Sequence, residues 1–302
     1  MDIPYNTYSG FANWFRYYLF KYIPVSMYPF FVKKYYKQLL GKNLNLKNPL
    51  TLSEKINYLK LYDLSDKKTV FTDKLLAKEY VKNNVPELKV AELYKVYSTF
   101  DDIDFSNLPN QFIIKTNHAC KTGIVVEDKK KLDFLKIETL SKYYNKVLNI
   151  DYAFWGIFEL QYKNIVPKVY IEELLIPKPN SLFKEYEIYC LNGNVEFIQY
   201  CVCTNDGLTY RTYYDKDFKE ADFAVYRKMK SPFIPDEKNK EKLIEYAQIL
   251  SSGFPFVRVD IFEVNEILYF GEMTFTPHCG NIPISPSEYD AILGNKLDIS
   301  GY

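Results

Sequence analysis

The residues best placed to do chemistry are two carboxylates inside stretches that otherwise read as core. Residues 256–264 and 267–275 are runs of β-branched and aromatic side chains on either side of Asn265-Glu266, which predicts two strands around a tight turn. Asp260 lies in the first arm and Glu272 in the second. Thr274 follows Glu272 by two positions and shares its face. A carboxylate in a core-like strand is costly unless it is paired or holds a metal. A three-residue loop with a bulge would set Asp260 opposite Glu272, whereas a strict two-residue turn would send them to opposite faces. A shared divalent ion therefore requires the bulged form. Hard oxygen ligands that leave room for water and phosphate suit Mg²⁺. Without the ion the two acids repel each other, one pKa rises, and Asp260→Asn should stabilise the protein. The competing reading is an edge hairpin whose acids face solvent.

A second stretch, Lys115-Thr-Asn-His-Ala-Cys-Lys-Thr-Gly123, follows one short apolar run and precedes another, Ile124-Val-Val126. A polar loop of small residues between two strands suits a flap over phosphates, held by backbone N–H groups and a lysine. It reads equally as an ordinary hairpin with a surface lysine. The only two histidines, His118 and His278, each lie close to a cysteine, Cys120 and Cys279, so a four-ligand zinc site is conceivable.

The elements that must position these groups can be read around them. Residues 11–39 interleave aromatic and basic side chains, interrupted by Pro24 and Pro29, and predict two short helices. These either pack on the body of the protein, the preferred reading, or lie on an anionic membrane surface with their aromatics inserted. Thr51-Leu-Ser-Glu54 is a capping box opening a helix through Leu61, and 73–83 predicts another. Strands are expected over 89–97, 111–114 and 166–176, and a helix over 129–150. Asn192-Gly193 joins two strands as a hairpin, and 239–252 is a helix ended by Gly253. Residues 225–234 read as irregular and basic, with no repeat anywhere.

Length and composition bound the answer. The 302 residues suffice for two domains or one large α/β unit. A net charge of +1 speaks against a nucleic-acid binder. Five cysteines, an odd number with no CxxC and no signal peptide, suggest a reducing cytoplasm rather than a disulfide scaffold. No apolar run is long enough to predict a membrane-spanning helix.

In order and spacing, several phrases together resemble the ATP-grasp superfamily, and more closely its TupA-like branch, named for teichuronopeptide and surface-polysaccharide synthesis. They are Leu44 to Asp63, Thr72-Asp-Lys74, Phe112 to His118, Ile171-Glu-Glu-Leu-Leu175, Glu185 to Gly193, and Gly253 to Asp260 with Tyr269 to Phe275. The resemblance implies an α+β fold in which two subdomains clasp a nucleotide. It divides the chain into N-terminal helices (1–48), an N-terminal α/β subdomain (49–110), a flap subdomain (111–176) and a C-terminal subdomain with the metal-binding hairpin (177–302).

It also implies roles. Lys74 and Lys115 would hold phosphates under the flap that ends at Thr122 and Gly123. Glu172, Glu173 and Leu175 would lie in the linker that binds adenine, and Glu185 would bind ribose. Asp260, Glu272 and Thr274 would hold Mg²⁺, with Arg258 facing the reacting carbonyl beside Lys115. The implied activity is ATP-dependent carboxylate–amine ligation through an acylphosphate, on a saccharide or polysaccharide precursor. The implied location is the cytoplasm, with the membrane's inner face in reach through residues 11–39. The chain departs from the family pattern in its glycine-poor flap, in Thr274 where Asn is usual, and in Glu187 where a cation is usual. These departures motivate two alternatives: a glycosyltransferase or other transferase using a nucleotide-sugar, and a catalytically degenerate scaffold.

Overall fold

The computed structural model describes residues 10–302 except 180, 205–206 and 227–228. The chain begins with helices α1 (Phe11–Tyr22), α2 (Tyr28–Leu40), α3 (Leu52–Tyr62), α4 (Asp66–Thr72) and α5 (Lys74–Asn84). Strands β1 (Leu93–Tyr97), β2 (Phe112–Thr116) and β3 (Ile124–Val126) follow, then α6 (Phe134–Leu148), α7 (Tyr152–Trp155) and β4 (Val169–Glu172). The second half comprises β5 (Phe183–Leu191), β6 (Asn194–Cys203), β7 (Thr209–Asp215) and β8 (Ala224–Val225). After these come α8 (Glu237–Ser251), β9 (Phe256–Val264), β10 (Ile267–Thr274), β11 (Ile284–Ser285) and α9 (Glu288–Lys296).

The strands make a four-stranded sheet in the order β1-β4-β2-β3, a five-stranded sheet in the order β10-β9-β5-β6-β7, and a small β8–β11 ribbon. Neighbouring strands in these sheets run antiparallel, and a single parallel bridge ties Lys89 to Tyr269 among the described residues. Local chemistry explains the joints. At the start of α3, Thr51 accepts from the Glu54 amide while the Glu54 carboxylate accepts from the Thr51 amide at 3.1 Å, the expected capping box. Asn192 and Gly193 both take positive φ between β5 and β6, as a two-residue hairpin needs. Alternation along β5, β6 and β9 sends Tyr186, Ile188, Ile198, Val259 and Ile261 to one face, where α5 and α8 bury them with Val81, Leu243, Ala247 and Leu250. The opposite face carries Glu185, Glu187, Arg258 and Asp260, while a Lys184–Glu263 pair, joined by the Tyr186 hydroxyl, lies on the helix-covered side.

Helices α1 and α2 pack on α7 and the segment that follows it. Trp14 meets Trp155 at 5.3 Å and Tyr28 stacks on Phe158 at 4.3 Å, so the packing expected of residues 11–39 is found on one side of each helix. Residues 49–110 do not close on themselves. Strand β1 is an edge of the four-stranded sheet, α5 packs on the five-stranded one, and α3 joins α9 and the β8–β11 ribbon.

Candidate active site

The β9–β10 turn is the strict two-residue form, Asn265-Glu266, both with positive φ. Yet Asp260 pairs in register with Glu272, because the ladder slips between Phe270 and Glu272. The bulge sits at Gly271 inside β10 rather than at the loop, which corrects where the sequence placed it. Glycine is needed there: a Cβ would lie 2.9 Å from the Asp260 carbonyl oxygen and 3.0 Å from the Phe262 ring.

Register brings Glu187 beside Asp260 on the third strand, and Thr274 beside Arg258. The Arg258 guanidinium is the hub. It donates to both Asp260 oxygens at 2.7 and 2.6 Å, lies 3.1 Å from Glu187 and 3.9 Å from Glu272, and donates to Thr274 Oγ1 at 3.4 Å. Lys74, the first residue of α5, reaches 3.3 Å from Glu272. Burial pushes the Asp260 carboxyl well up, against the pull of Arg258 and with help from Glu187 and Glu272. Burial, more than repulsion by Glu272, is the cause of that rise. Burial also acts on Glu272, but Lys74 and Arg258 outweigh it and hold that carboxyl below its usual range. Three hard carboxylates and a hydroxyl converge here on one guanidinium, with Lys74 beside Glu272 as a second positive partner. Such a donor set, carrying surplus negative charge, fits a divalent ion held by Asp260, Glu272 and Thr274.

Alongside lies a pocket between the two sheets. Ala91, Ile113, Phe183 and Phe262 give it apolar walls, Glu173, Leu174 and Leu175 one edge, and Lys78, Lys115 and Glu172 its polar end. Phe183 and Phe262 sit 5.2 Å apart. Among the described residues the amides of Leu174 and Leu175 donate to no protein acceptor, so this edge can bind a planar base through the backbone. The Glu173 amide already donates to Glu92 O at 2.8 Å. Glu172 does more than lie in the linker. Its buried carboxylate accepts from Lys115 at 2.7 Å and from Lys78, and these two lysines overcome burial to keep its pKa low. Lys78, Phe183 and Phe262 were not singled out from sequence. Lys78 stands one helical turn beyond Lys74, and Phe262 two residues beyond Asp260, signals that periodicity carries.

The Lys115–Gly123 loop is tied down rather than glycine-rich. Asn117 donates to Asp73 at 2.9 Å and to Val166 O at 3.0 Å, Lys74 donates to Ala119 O at 3.2 Å, and Tyr144 donates to Ile114 O and Thr122 O. The Thr122 side chain is buried against Thr116, so only loop backbone is left there to meet a phosphate. Gly123 is exposed against the Lys115 stem. Glu185 faces the cleft on β5, and burial, aided by Glu187, pushes its pKa up to about 7. It forms with Glu187 and Cys201 the one His/Cys/Asp/Glu trio among the described residues with ligand atoms within 4.8 Å of one another.

The four-residue zinc arrangement is not found. His118 binds Val147 O at 3.2 Å, with burial pushing its pKa down to about 4. Cys120 meets Tyr152, Cys279 lies 3.6 Å from Glu159, and His278 stacks on Tyr226 at 5.8 Å. His278 and Cys279 both hold left-handed backbone, in a loop whose carbonyls accept from Lys60 at 2.8 Å and Asn57 at 2.7 Å. Strain of this kind gathers at functional loops.

Two antiparallel sheets meeting over a base-sized pocket, with lysines at one end and paired acids beyond, are the ATP-grasp arrangement. Residues 54–298 match the model of the TupA-like ATP-grasp family, and the chain belongs to that family. No curated protein matches it. Similar solved structures include D-alanine–D-alanine ligase from Bacillus anthracis complexed with ATP. Identity there is 13%, over 72% of this chain and 55% of that one, with a TM-score of 0.39. The Helicobacter pylori D-alanine–D-alanine ligase shares 16% identity, over 82% and 69%, at 0.44. The ATP-grasp ligase PsnB with a phosphomimetic variant of its minimal precursor, Mg and ADP shares 12%, over 80% and 67%, at 0.42. The chain spans just over half the length of the Bacillus ligase. Likeness this distant says nothing about substrate.

Proposed function

We propose that the protein is an ATP- and Mg²⁺-dependent carboxylate–amine ligase acting in the cytoplasm on a surface polysaccharide or its precursor. The observation that carries the reading is the line of groups from the Phe183–Phe262 pocket, past Lys115 and Lys78 on Glu172, to Lys74, Arg258 and the Asp260–Glu272 pair. Adenine fits the pocket, with Leu174 and Leu175 amides at its edge and Glu185 toward the ribose. Lys74, Lys115 and the loop backbone at Thr122 and Gly123 are placed for phosphate oxygens. Mg²⁺, held by Asp260, Glu272 and Thr274, would neutralise phosphate charge. Arg258 then presents its guanidinium to the substrate carboxylate as that group attacks the γ-phosphorus and ADP leaves, and an amine displaces phosphate from the acylphosphate. Such a site works by positioning and by charge neutralisation in a dry cleft. The saccharide class rests on family membership.

The test is thermal unfolding with Mg-ATP. A ligand at 100 times its Kd adds about 2.7 kcal/mol of stability. Absence of any shift at millimolar Mg-ATP would sink the reading. ADP release on addition of uronic-acid-bearing saccharides together with amino acids then tests the substrate class.

A further inference from the structure

We infer that α1 and α2 form a docking surface for an anionic lipid bilayer. On α1, Phe11, Phe15, Tyr18 and Tyr22 recur at i, i+4, i+7 and i+11, the spacing of one helical face. That face turns away from the core: the four are 88%, 63%, 51% and 75% exposed, while Tyr17 and Phe20 on the other side are buried. The outward face of α2 carries Phe30, Lys33, Lys34 and Lys37, opposite buried Tyr28, Val32 and Tyr36. Val25 and Met27, in the turn between the helices, are also exposed.

Charge selects the occupant. Residues 10–50 contain seven basic side chains (Arg16, Lys21, Lys33, Lys34, Lys37, Lys42 and Lys47) and not one acid, in a chain whose net charge is only +1. Lys146 of α6 adds a further cation, over the Trp14 ring. An exposed aromatic stripe in a lysine-rich segment free of acids suits the boundary between headgroups and acyl chains. Rings enter the interface there while ammonium groups stay with lipid phosphates. Among the described residues no helix is long and apolar enough to cross a membrane, so the contact is peripheral. It would hold the cleft at the bilayer surface, and it stands whether or not the ligase reading does.

The test is co-sedimentation of the full chain with vesicles of phosphatidylcholine alone or with one-third phosphatidylglycerol, at low and high salt. The expected result is binding to the phosphatidylglycerol vesicles, at least tenfold weaker on phosphatidylcholine and weakened by salt. Phe15→Ser with Tyr22→Ser should lower binding at least tenfold, and so should Lys33→Glu with Lys34→Glu. Both pairs are exposed, and circular dichroism checks that the variants fold. No binding to phosphatidylglycerol vesicles overturns the inference, as does equal binding by folded variants. A self-association removed by Phe15→Ser with Tyr22→Ser, without vesicle binding, would instead make the stripe a contact between copies.

Discussion

Asp260 stands directly across the β9–β10 ladder from Glu272 because Gly271 is one residue more than the ladder can pair. Any side chain at 271 must push against the Asp260 carbonyl and the Phe262 ring. Gly271→Ala is therefore expected to cost about 1–3 kcal/mol, the usual price of forcing a methyl into a packed site. It should also weaken Mg-dependent nucleotide binding by moving one acid against the other. Urea unfolding and nucleotide titration measure the two effects. A neutral substitution would mean the bulge is loosely packed.

The charge count around Arg258 sets the sign for Asp260→Asn. Asp260, Glu187 and Glu272 outnumber Arg258 and Lys74, so removing one negative charge leaves balanced pairs, with Glu187 still 3.1 Å from the guanidinium. Without nucleotide the variant should be more stable, by about 1 kcal/mol, while stabilisation by Mg-ATP falls. Destabilisation with Mg-ATP binding intact would make Asp260 a structural partner of Arg258 and remove it from the metal site.

Glu172→Gln should behave oppositely. Glu172 is the shared carboxylate of Lys78 and Lys115, and its loss leaves two ammonium groups facing each other, one of them buried. Breaking a buried pair from one side costs about 3–5 kcal/mol. Replacing Lys78 and Glu172 together by Met and Leu should cost less than Glu172→Gln alone. Chemical denaturation of the single and double variants decides the point.

A further expectation concerns pH. Glu159 is buried, accepts from Thr276, and lies 3.6 Å from Cys279; burial raises its pKa from 4.5 to about 7. The folded protein then holds this proton where the unfolded chain has lost it. The contribution to stability is full below pH 4.5 and is lost as pH rises to about 7, by roughly 3 kcal/mol at one pKa unit per 1.36 kcal/mol. Glu159→Gln should flatten this part of the stability–pH curve and be more stable than the parent at pH 7.5. Equal slopes for the two proteins would show that Glu159 titrates normally.

Features that depend on neighbours in sequence were legible before the fold was known. The capping box at Thr51, the Asn192-Gly193 hairpin and the amphipathic 239–252 helix each draw their stability from residues within one turn or one pairing. Helix α4 was missed because its seven residues carry too few turns to show a period. Strand β7 was missed because Arg211 and Thr212 interrupt its aromatic run, although both face partners within the sheet and its neighbours. In the site, acids and lysines with ordered spacing were found. Phe183, which needs Phe262 from another strand to become a wall, was not, because no sequence period links the two. The fork of Arg258 on Asp260 joins residues two apart, but its convergence with Glu187 appears only when β5 and β9 are in register.

The polar side of α3 has a consequence for how the chain is made. Ser53 finds Asp290 across 237 residues, Lys60 finds the carbonyl of Cys279, and Lys55 finds those of Gly294 and Leu297. At ribosomal speeds of about 5–20 residues per second, these groups wait on the order of ten to fifty seconds for partners not yet synthesised. Until then these three side chains lack their native partners and the strained loop at His278 does not exist. A nascent chain stalled short of residue 290 would therefore carry every proposed ligand without the Ser53–Asp290 and Lys55–Gly294 contacts of α3.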